Sequence, residues 1–244
     1  MSYPILYATD IHGDDNVYEH LLDEAIKKKA KAIIIGGDLA PLVALYAING
    51  IEIQRAFFEA YLIPLFENFR KIHNIEIFLI MGNDDYSINM DLLEKAEKNR
   101  TIKILNEKPV KKDKWELVGY PYINPSDYLI FPIQDWVKKE GELLKDLEKT
   151  AKNINMKNVI YVVHAPPKDT NLDILYDGNH VGSQAVGKFI EKHQPYLVLA
   201  GHIHESPMIS GKITDKIGHT ICIQPGNAKV TLIDLEEPEK AKKI

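Results

Sequence analysis

Seven side chains of metal-binding type stand directly after five short apolar runs of the sequence. They are Asp10, His12, Asp38, Asn83, His164, His202 and His204. Neutral imidazole suits Zn, Fe, Ni and related ions, whereas carboxylate and amide oxygens suit Mn or Mg. Seven donors are too many for one tetrahedral site, but sharing one carboxylate between two ions gives each ion four protein ligands. The residue types therefore predict a dinuclear centre with the metals about 3.5–4 Å apart.

The spacing within this set is a second signal. Asp10-x-His12 and His202-x-His204 both place two donors two residues apart, so on an extended strand both side chains would share one face. Taken singly, each residue also has an ordinary structural interpretation: a lone His as a hydrogen-bonded residue at a strand end, and Asp38 as a turn or helix N-cap residue. The consistent order of the whole set favours the metal-binding interpretation.

The apolar runs before these residues are short, rich in Ile and Val, and apolar on both faces, which is typical of buried strands. They are Ile5–Ala8, Ala32–Ile35, Ile75–Met81, Val159–Val163 and Tyr196–Ala200. Helical patterns separate most of them, as over Val17–Ala30, Asp135–Ile154 and Ser183–His193. This order predicts βαβ units and a largely parallel sheet. Ligands bind beyond the carboxyl ends of such strands, so the seven side chains should meet in one cleft.

Two further stretches carry structural predictions. Apolar residues repeat every four positions from Ile53 to Phe69, which predicts a wide apolar helix face that Pro64 should kink or interrupt. Core packing is the simplest role for this face, and a self-association surface in the apolar 39–69 region or an active-site lid are the alternatives. Beyond His202 the pattern predicts antiparallel hairpins and a last strand at Val230–Leu235, followed by a frayed tail.

The composition is that of an ordinary globular protein of 244 residues with a net charge of −5. This acidic balance argues against a general nucleic-acid binder, which would show a basic field. The one cysteine, Cys222, forms no intrachain disulfide and indicates a reducing compartment. No signal-peptide pattern is present, and the apolar stretch Leu39–Ile53 has about 15 residues, short of the ~20 that a membrane span needs. These features predict a soluble, cytoplasmic protein.

Five blocks of the sequence are similar to the signature motifs of the calcineurin-like metallophosphoesterases. The blocks are Asp10-x-His12, Gly37-Asp38, Gly82-Asn83-Asp84-Asp85, His164 and Gly201-His202-x-His204. The resemblance runs from about residue 3 to residue 235, nearly the whole chain. It implies an α/β fold, a four-layer αββα sandwich of two mixed β-sheets flanked by helices. This would be a single domain over residues 1–236, with a charged C-terminal tail at 237–244.

The resemblance divides the seven side chains into two ligand sets with one shared member. The sets are Asp10, His12 and His204 for one ion and Asn83, His164 and His202 for the other, with Asp38 as the bridge. The ions would be two divalent metals such as Mn, Fe, Zn, Co or Ni. With two carboxylates beside them they leave a local charge of about +2, which attracts phosphate. A water between them would lose its proton near neutral pH, and the hydroxide would attack phosphorus.

One position departs from the family pattern. Many members have Gly-Asn-His where this chain has Asp84, and that His is thought to stabilise or protonate the leaving group. An aspartate is an anion at pH 7 and a poor proton donor, unless burial or a neighbouring carboxylate such as Asp85 raises its pKa. Its charge should also disfavour dianionic monoesters. We therefore predict a phosphodiesterase acting on small phosphodiesters, with Asp38, Asn83 and Asp84 as catalytic residues. Hydrolysis of esters with good leaving groups is the alternative, and strong monoesterase activity is not expected.

Two alternatives to this function stay open. A nuclease of the same family would carry added length or a basic stripe, and this sequence shows neither. A non-catalytic scaffold on the same fold would be expected to lose metal-site residues, whereas all seven are retained here.

Substrate contacts are a separate question. Gly182 and Ser183 precede a predicted helix and could offer N–H groups to an anion, with His180 touching the substrate. A capping turn with a surface His is the alternative interpretation of this segment.

Overall fold

The computed structural model describes residues 2–43, 49–125 and 135–244. Within these residues there are twelve strands and seven α-helices. The strands are β1 (Pro4–Ala8), β2 (Ala32–Gly36), β3 (Glu76–Ile80), β4 (Lys103–Ile104), β5 (Val110–Lys112), β6 (Trp115–Tyr120), β7 (Val159–Val163), β8 (Leu197–Leu199), β9 (Thr214–Ile217), β10 (Thr220–Ile223), β11 (Thr231–Asp234) and β12 (Lys242–Lys243). The helices are α1 (Asp15–Lys27), α2 (Gly50–Phe57), α3 (Ile63–Ile72), α4 (Met90–Lys98), α5 (Glu140–Thr150), α6 (Gln184–His193) and α7 (Ser206–Ile209).

The strands form two six-stranded mixed sheets. The first has the order β12-β11-β1-β2-β3-β4 and the second the order β5-β6-β7-β8-β10-β9. In the first sheet β1 to β4 are parallel to one another, and β11 pairs antiparallel with both β1 and β12. In the second, β6, β7, β8 and β10 are parallel, with antiparallel edge strands β5 and β9. The parallel centre of each sheet places several strand ends on one rim of the molecule.

Alternating side chains of the strands divide the apolar core into three layers. Ile5 of the first sheet and Ile160 of the second lie in the layer between the sheets. Leu6, the next residue of β1, points to the opposite face and joins the layer that includes side chains of α1, α3 and α4. Tyr161 joins the layer between the second sheet and helices α5 and α6. The predicted four-layer αββα sandwich is confirmed.

The apolar helical stretch spans residues 50–72 and packs mainly into the core. The interruption expected at Pro64 occurs in the preceding turn, Phe58–Leu62, which is a π-helix between α2 and α3. Phe58, Leu62 and Phe66 are buried in the layer against the first sheet. This agrees with the core-packing interpretation of the apolar face. Residues 44–48 of the apolar 39–69 region lie outside the described residues, and self-association through that region stays a prediction.

The C-terminal tail corrects one expectation. Residues beyond 236 are not frayed, because Lys242–Lys243 forms β12 and pairs antiparallel with β11. The Ile244 N–H donates to the Val230 carbonyl at 2.9 Å, and the Ile244 side chain packs against the layer that contains α1. Both residues of β12 are lysines, so a pattern of apolar residues does not predict this strand. None of the helices that the structure describes is long and apolar enough to span a bilayer.

Candidate metal centre

The seven predicted ligands lie in loops that follow β1, β2, β3, β7 and β8. Several of these loop residues have left-handed backbone: φ is 53° at Asp10, 49° at His12, 52° at Asp38 and 70° at His202. The prediction that the i, i+2 pairs share one face of an extended strand is therefore wrong. Such backbone costs about 1 kcal/mol or more per residue and persists where the surroundings enforce it.

Neighbouring loops enforce this backbone by hydrogen bonding to each other. The Asp10 N–H donates to the Gly37 carbonyl at 3.0 Å, and the His12 N–H donates to the Asp38 carbonyl at 2.9 Å. On the other side, the His202 N–H donates to the Asp10 carboxylate at 2.9 Å. The loops after β1, β2 and β8 are thereby joined, although they are up to 192 residues apart in sequence.

Four of the seven side chains form a compact group of donors. Each of Asp10, His12, Asp38 and His204 has a ligand atom within 4.8 Å of the others. His204 Nε2 lies 3.3 Å from His12 Nε2 and 3.3 Å from Asp10 Oδ1. Two imidazole nitrogens at this distance are stable only with a proton or a cation between them. His12 Nδ1 is buried, and no described residue forms a hydrogen bond with it. This donor set fits a metal ion.

A second group of donors surrounds His164 on the other side of Asp38. His164 Nδ1 lies 2.8 Å from the Gly36 carbonyl, which can only accept, so this nitrogen carries a proton. His164 Nε2 then faces two oxygens, Asn83 Oδ1 at 2.9 Å and Asp38 Oδ2 at 3.2 Å. The His202 ring is 5.4 Å from the His164 ring, measured between centroids. A cation near His164 Nε2 would satisfy all of these acceptors.

Burial and charge make the carboxyls of the site anionic and the His12 and His202 imidazoles neutral, which are the protonation states that metal ligands need. Burial disfavours ionisation of Asp10 and Asp38, but both carboxyls keep a pKa below its usual range. The hydrogen bond with His204 lowers the pKa of Asp10 most, and the charge of His164 lowers that of Asp38 most. Burial lowers the pKa of His202 to about 3 and also lowers the pKa of His12. At His164 burial is outweighed by Asp38, which helps to raise the pKa to about 10. A concentration of negative charge therefore faces this ring, as it would face a metal cation.

A match to a known family accompanies this geometry. The family model described as calcineurin-like phosphoesterase matches residues 3–206. The chain belongs to the calcineurin-like phosphoesterase family. The family is typically one of metal-dependent hydrolases of phosphoric esters, and the compact donor set Asp10, His12, Asp38 and His204 is of the kind that such chemistry uses. A relative in Methanocaldococcus jannaschii, named uncharacterized protein MJ1162, is 31% identical over 173 residues, which cover 67% of this chain and 69% of that protein.

Solved structures share the fold at low sequence identity. TT1561 of Thermus thermophilus superposes with a TM-score of 0.72 at 18% identity, covering 100% of this chain and 99% of that one. A dimetal phosphatase from Danio rerio gives 0.59 at 9% identity over 95% and 92% of the two chains. A protein described as a novel archaeal phosphodiesterase gives 0.52 at 14% identity over 99% and 98%.

Asp84, which stands where many family members have His, has an altered environment. Burial and the negative charge of Asp38 raise its pKa to about 7. From the sequence, Asp85 was the neighbouring carboxylate expected to raise the pKa of Asp84. In the structure, the carboxylate that raises it most is Asp38. The backbone of Asp84 is held on both sides, since its N–H donates to Asp38 Oδ1 at 2.8 Å and its carbonyl accepts from Gln54 Nε2 at 2.6 Å. The side chain is thus held next to the metal-binding groups.

Sequence reasoning missed two residues that shape this loop. Asp85 is buried and accepts hydrogen bonds from the backbone N–H groups of Leu39, Ala40 and Gly82, which joins the loops after β2 and β3. Gln54, on α2, also accepts from the Tyr86 N–H at 2.9 Å. Asp85 could have been found from the sequence, because a second carboxylate follows Asp84 directly. Nothing near Gln54 in the sequence indicates that its side chain holds the loop at Asp84 and Tyr86.

The structure corrects the predicted anion site at Gly182 and Ser183. The Gly182 N–H donates to the buried carboxylate of Asp173 at 3.0 Å, and the Ser183 N–H donates to the Pro166 carbonyl at 2.8 Å. The start of α6 is occupied by the chain's own Glu140, which accepts from Ser183 Oγ and from two backbone N–H groups. These donors are therefore not available to a substrate. This segment resembles the capping turn that was the alternative interpretation.

His180 has a defined partner but no established contact with the metal centre. Its Nδ1 lies 2.7 Å from Asp173 Oδ1, and its side chain is about one-third exposed at 33%. Contact between His180 and a substrate stays a prediction.

Glycines allow the loops of the metal centre to approach each other closely. A Cβ added at Gly82 would overlap the carboxylate of Asp38, and one added at Gly37 would lie 2.7 Å from His164 Nδ1. Gly37 also has a φ of 103°, which L side chains rarely adopt. These glycines follow β2 and β3, so they bring two strand ends to within ligand distance of each other.

We predict that Gly82→Ala lowers the metal content of the purified protein, because the added methyl group displaces the Asp38 carboxylate. Metal per chain, measured by mass spectrometry after dialysis, should fall to half of the wild-type value or less. Gly187→Ala on α6 is the control, since its nearest neighbouring atom is 3.9 Å away. Equal metal content in Gly82→Ala and the wild type would contradict this account of the loop.

Proposed function

We propose that this chain is a phosphodiesterase that uses two divalent cations, one in each donor group, with Asp38 shared between them. The observation that carries the proposal is the position of Asp38 Oδ2, which lies 3.2 Å from His164 Nε2 and 3.9 Å from His12 Nε2. A carboxylate oxygen between two sets of donors is suited to bridge two ions. Asp10, His12 and His204 would hold one ion, and Asn83, His164 and His202 the other.

The charges of the site favour a substrate with one negative charge over a substrate with two. When bound, the two cations supply the Lewis acidity that makes water a nucleophile near neutral pH. Asp10 and Asp38 neutralise about half of the four positive charges, so the site keeps a surplus that attracts phosphate. Asp84 adds a carboxylate beside this surplus, where many family members have a neutral or cationic His. Above its pKa of about 7 Asp84 is an anion, and its charge then repels the dianion of a monoester more strongly than the monoanion of a diester.

The preference for diesters can be tested on two substrates with the same leaving group. Protein loaded with Mn, Fe, Co, Ni or Zn in turn should hydrolyse bis-p-nitrophenyl phosphate with a higher kcat/KM than p-nitrophenyl phosphate. The best metal should bind at close to two ions per chain. A monoester preference of tenfold or more with every metal would overturn the proposed specificity. Saturation at one ion per chain would overturn the dinuclear site.

A further inference from the structure

A second cavity lies at the opposite end of β3 from the metal centre. It has a volume of about 380 Å³, and we call it the arginine pocket after Arg70 and Arg100, which line it together with Lys103, Glu76 and Glu97. Glu76 is the first of the five residues of β3, and the metal-binding loop follows the last. Five residues of strand separate the two sites by about 16 Å. The arginine pocket is therefore distinct from the metal centre.

The pocket contains two of the three arginines of the chain. Arg70, in the last turn of α3, has its Nη1 buried without a hydrogen-bond partner among residues 2–43, 49–125 and 135–244. Among the residues that the structure describes, neither Arg70 nor Arg100 has an ion-pair partner, whereas Arg55 pairs with Asp91 at 2.9 Å. A buried guanidinium nitrogen without an acceptor costs free energy, because it loses its hydrogen bonds to water. An acceptor entering the pocket would remove that cost.

The acidic residues of the pocket are already neutralised or hydrogen-bonded. Glu76 pairs with Lys103 at 3.1 Å and with Lys112 at 2.7 Å. Glu97 accepts a hydrogen bond from the Ile104 N–H at 2.9 Å. The two lysines outweigh the single charge of Glu76, and neither guanidinium has an anionic partner within the described part of the chain. Arg70, Arg100 and Lys103 against Glu76 and Glu97 leave the lining one positive charge in surplus, and Lys112 beside Glu76 adds a second, on a protein whose net charge is −5.

We propose that the arginine pocket binds a small phosphorylated molecule with an apolar body. A guanidinium presents a planar fork of donors that matches phosphate oxygens, and two guanidiniums balance the charge of a phosphate dianion. Ile77, Ile102 and Val110 line the same cavity and supply an apolar wall. The volume lies within the range of small-molecule sites and exceeds the space that a bare phosphate needs. The site does not depend on the proposed diesterase activity.

Arginine side-chain NMR tests the pocket directly, because three arginines give three Nε–Hε signals. The probe is phenylphosphonate, which carries a phosphate-like dianion and an apolar ring and has no ester bond to hydrolyse. On the full chain loaded with Zn, the Arg70 and Arg100 signals should shift together and saturate, whereas the Arg55 signal should stay in place. A sodium chloride titration at matched ionic strength corrects for screening. Parallel shifts of all three signals, or no saturable shift, would overturn the proposal.

Substitutions separate the arginine pocket from the metal centre. Arg100 lies in an exposed turn, so the Arg100→Gln variant should fold normally. It should bind phenylphosphonate in the pocket about tenfold or more weakly, as measured by the titration of the Arg70 signal. Arg55→Gln is the matched control and should leave the affinity unchanged. Asp38→Asn should also leave the Arg70 titration unchanged, because that residue belongs to the metal centre. An unchanged affinity in Arg100→Gln would contradict the assignment, whatever the activity of the enzyme.

Discussion

Asp38→Asn is expected to abolish phosphate-ester hydrolysis, with kcat/KM falling about a thousandfold or more. Lewis-acid stabilisation of a transition state is worth several kcal/mol, and about 1.4 kcal/mol corresponds to a factor of ten in rate. Asp38 stands between the two donor groups, 3.2 Å from His164 and 3.9 Å from His12. Replacing its carboxylate with an amide removes one negative charge from both groups at once. Metal content should fall with the activity.

Asparagine is the informative replacement because it preserves the loop around residue 38. Asp38 has a left-handed backbone with a φ of 52°, which asparagine tolerates better than alanine does. Its Oδ1 accepts a hydrogen bond from the Asp84 N–H at 2.8 Å, and the amide oxygen of asparagine can accept the same bond. Asp38→Ala would leave that N–H without its acceptor. Loss of activity in the asparagine variant therefore reports the carboxylate itself.

Asp23→Asn, on the exposed side of α1, is the control for loss of a single negative charge. Circular dichroism and thermal unfolding of the metal-free proteins show whether Asp38→Asn is folded. Activity and metal content are then compared at equal protein concentration, across a titration of the preferred metal. Wild-type activity in the Asp38→Asn variant, or two firmly bound ions, would exclude a bridging role for this residue.

Much of the convergence of the seven side chains could be predicted from strand direction. Parallel strands of one sheet end on one rim, so the polar residues after β1, β2 and β3 lie near each other, and so do those after β7 and β8. The stacking of the two sheets, which strand direction does not give, brings the two sets together. Apolar strands of four to seven residues with polar residues immediately after them are visible in any sequence of this kind. The position of the donor groups at the strand ends could therefore be predicted without knowing any side-chain contacts.

The backbone at the site and its support could not be predicted in the same way. Left-handed backbone at Asp10 and His202 is imposed by hydrogen bonds to other loops, and no local pattern encodes it. Glu140 reaches the start of α6 from α5, 44 residues earlier than Gln184. Strand β12 is charged and pairs because β11 offers it an open edge. Each case depends on contacts between distant segments, which sequence periodicity does not report.

Asp84→His is expected to move the substrate preference toward monoesters, raising the ratio of monoester to diester kcat/KM about tenfold or more. An extra unit of substrate charge about 6 Å from a carboxylate costs roughly 3 kcal/mol at an effective dielectric constant of 20, before screening. The Asp84 side chain lies within the site, and its Oδ1 accepts from Asn83 Nδ2 at 2.9 Å. The hydrogen bonds that hold the loop at Asp84 itself use its backbone, so the substitution leaves them in place.

Asp84→Asn separates the two effects that a histidine would combine. Both variants remove the carboxylate charge, so both should hydrolyse p-nitrophenyl phosphate better relative to the diester. Only the histidine variant supplies a group that can donate a proton near neutral pH. Esters with a poor leaving group, such as phenyl phosphate, need that proton more than nitrophenyl esters do. Asp84→His should therefore exceed Asp84→Asn on phenyl phosphate by about tenfold or more, since a positioned acid contributes 10²–10⁴-fold.

The two variants and two monoesters discriminate between three physical accounts of position 84. If charge alone sets the preference, the variants match on both monoesters and differ from the wild type. If proton donation matters as well, the variants separate on phenyl phosphate alone. A wild type that already hydrolyses phenyl phosphate as well as Asp84→His does would mean that Asp84 itself donates the proton, consistent with its pKa of about 7. In that case the charge argument for a diesterase fails, because a protonated Asp84 repels no substrate.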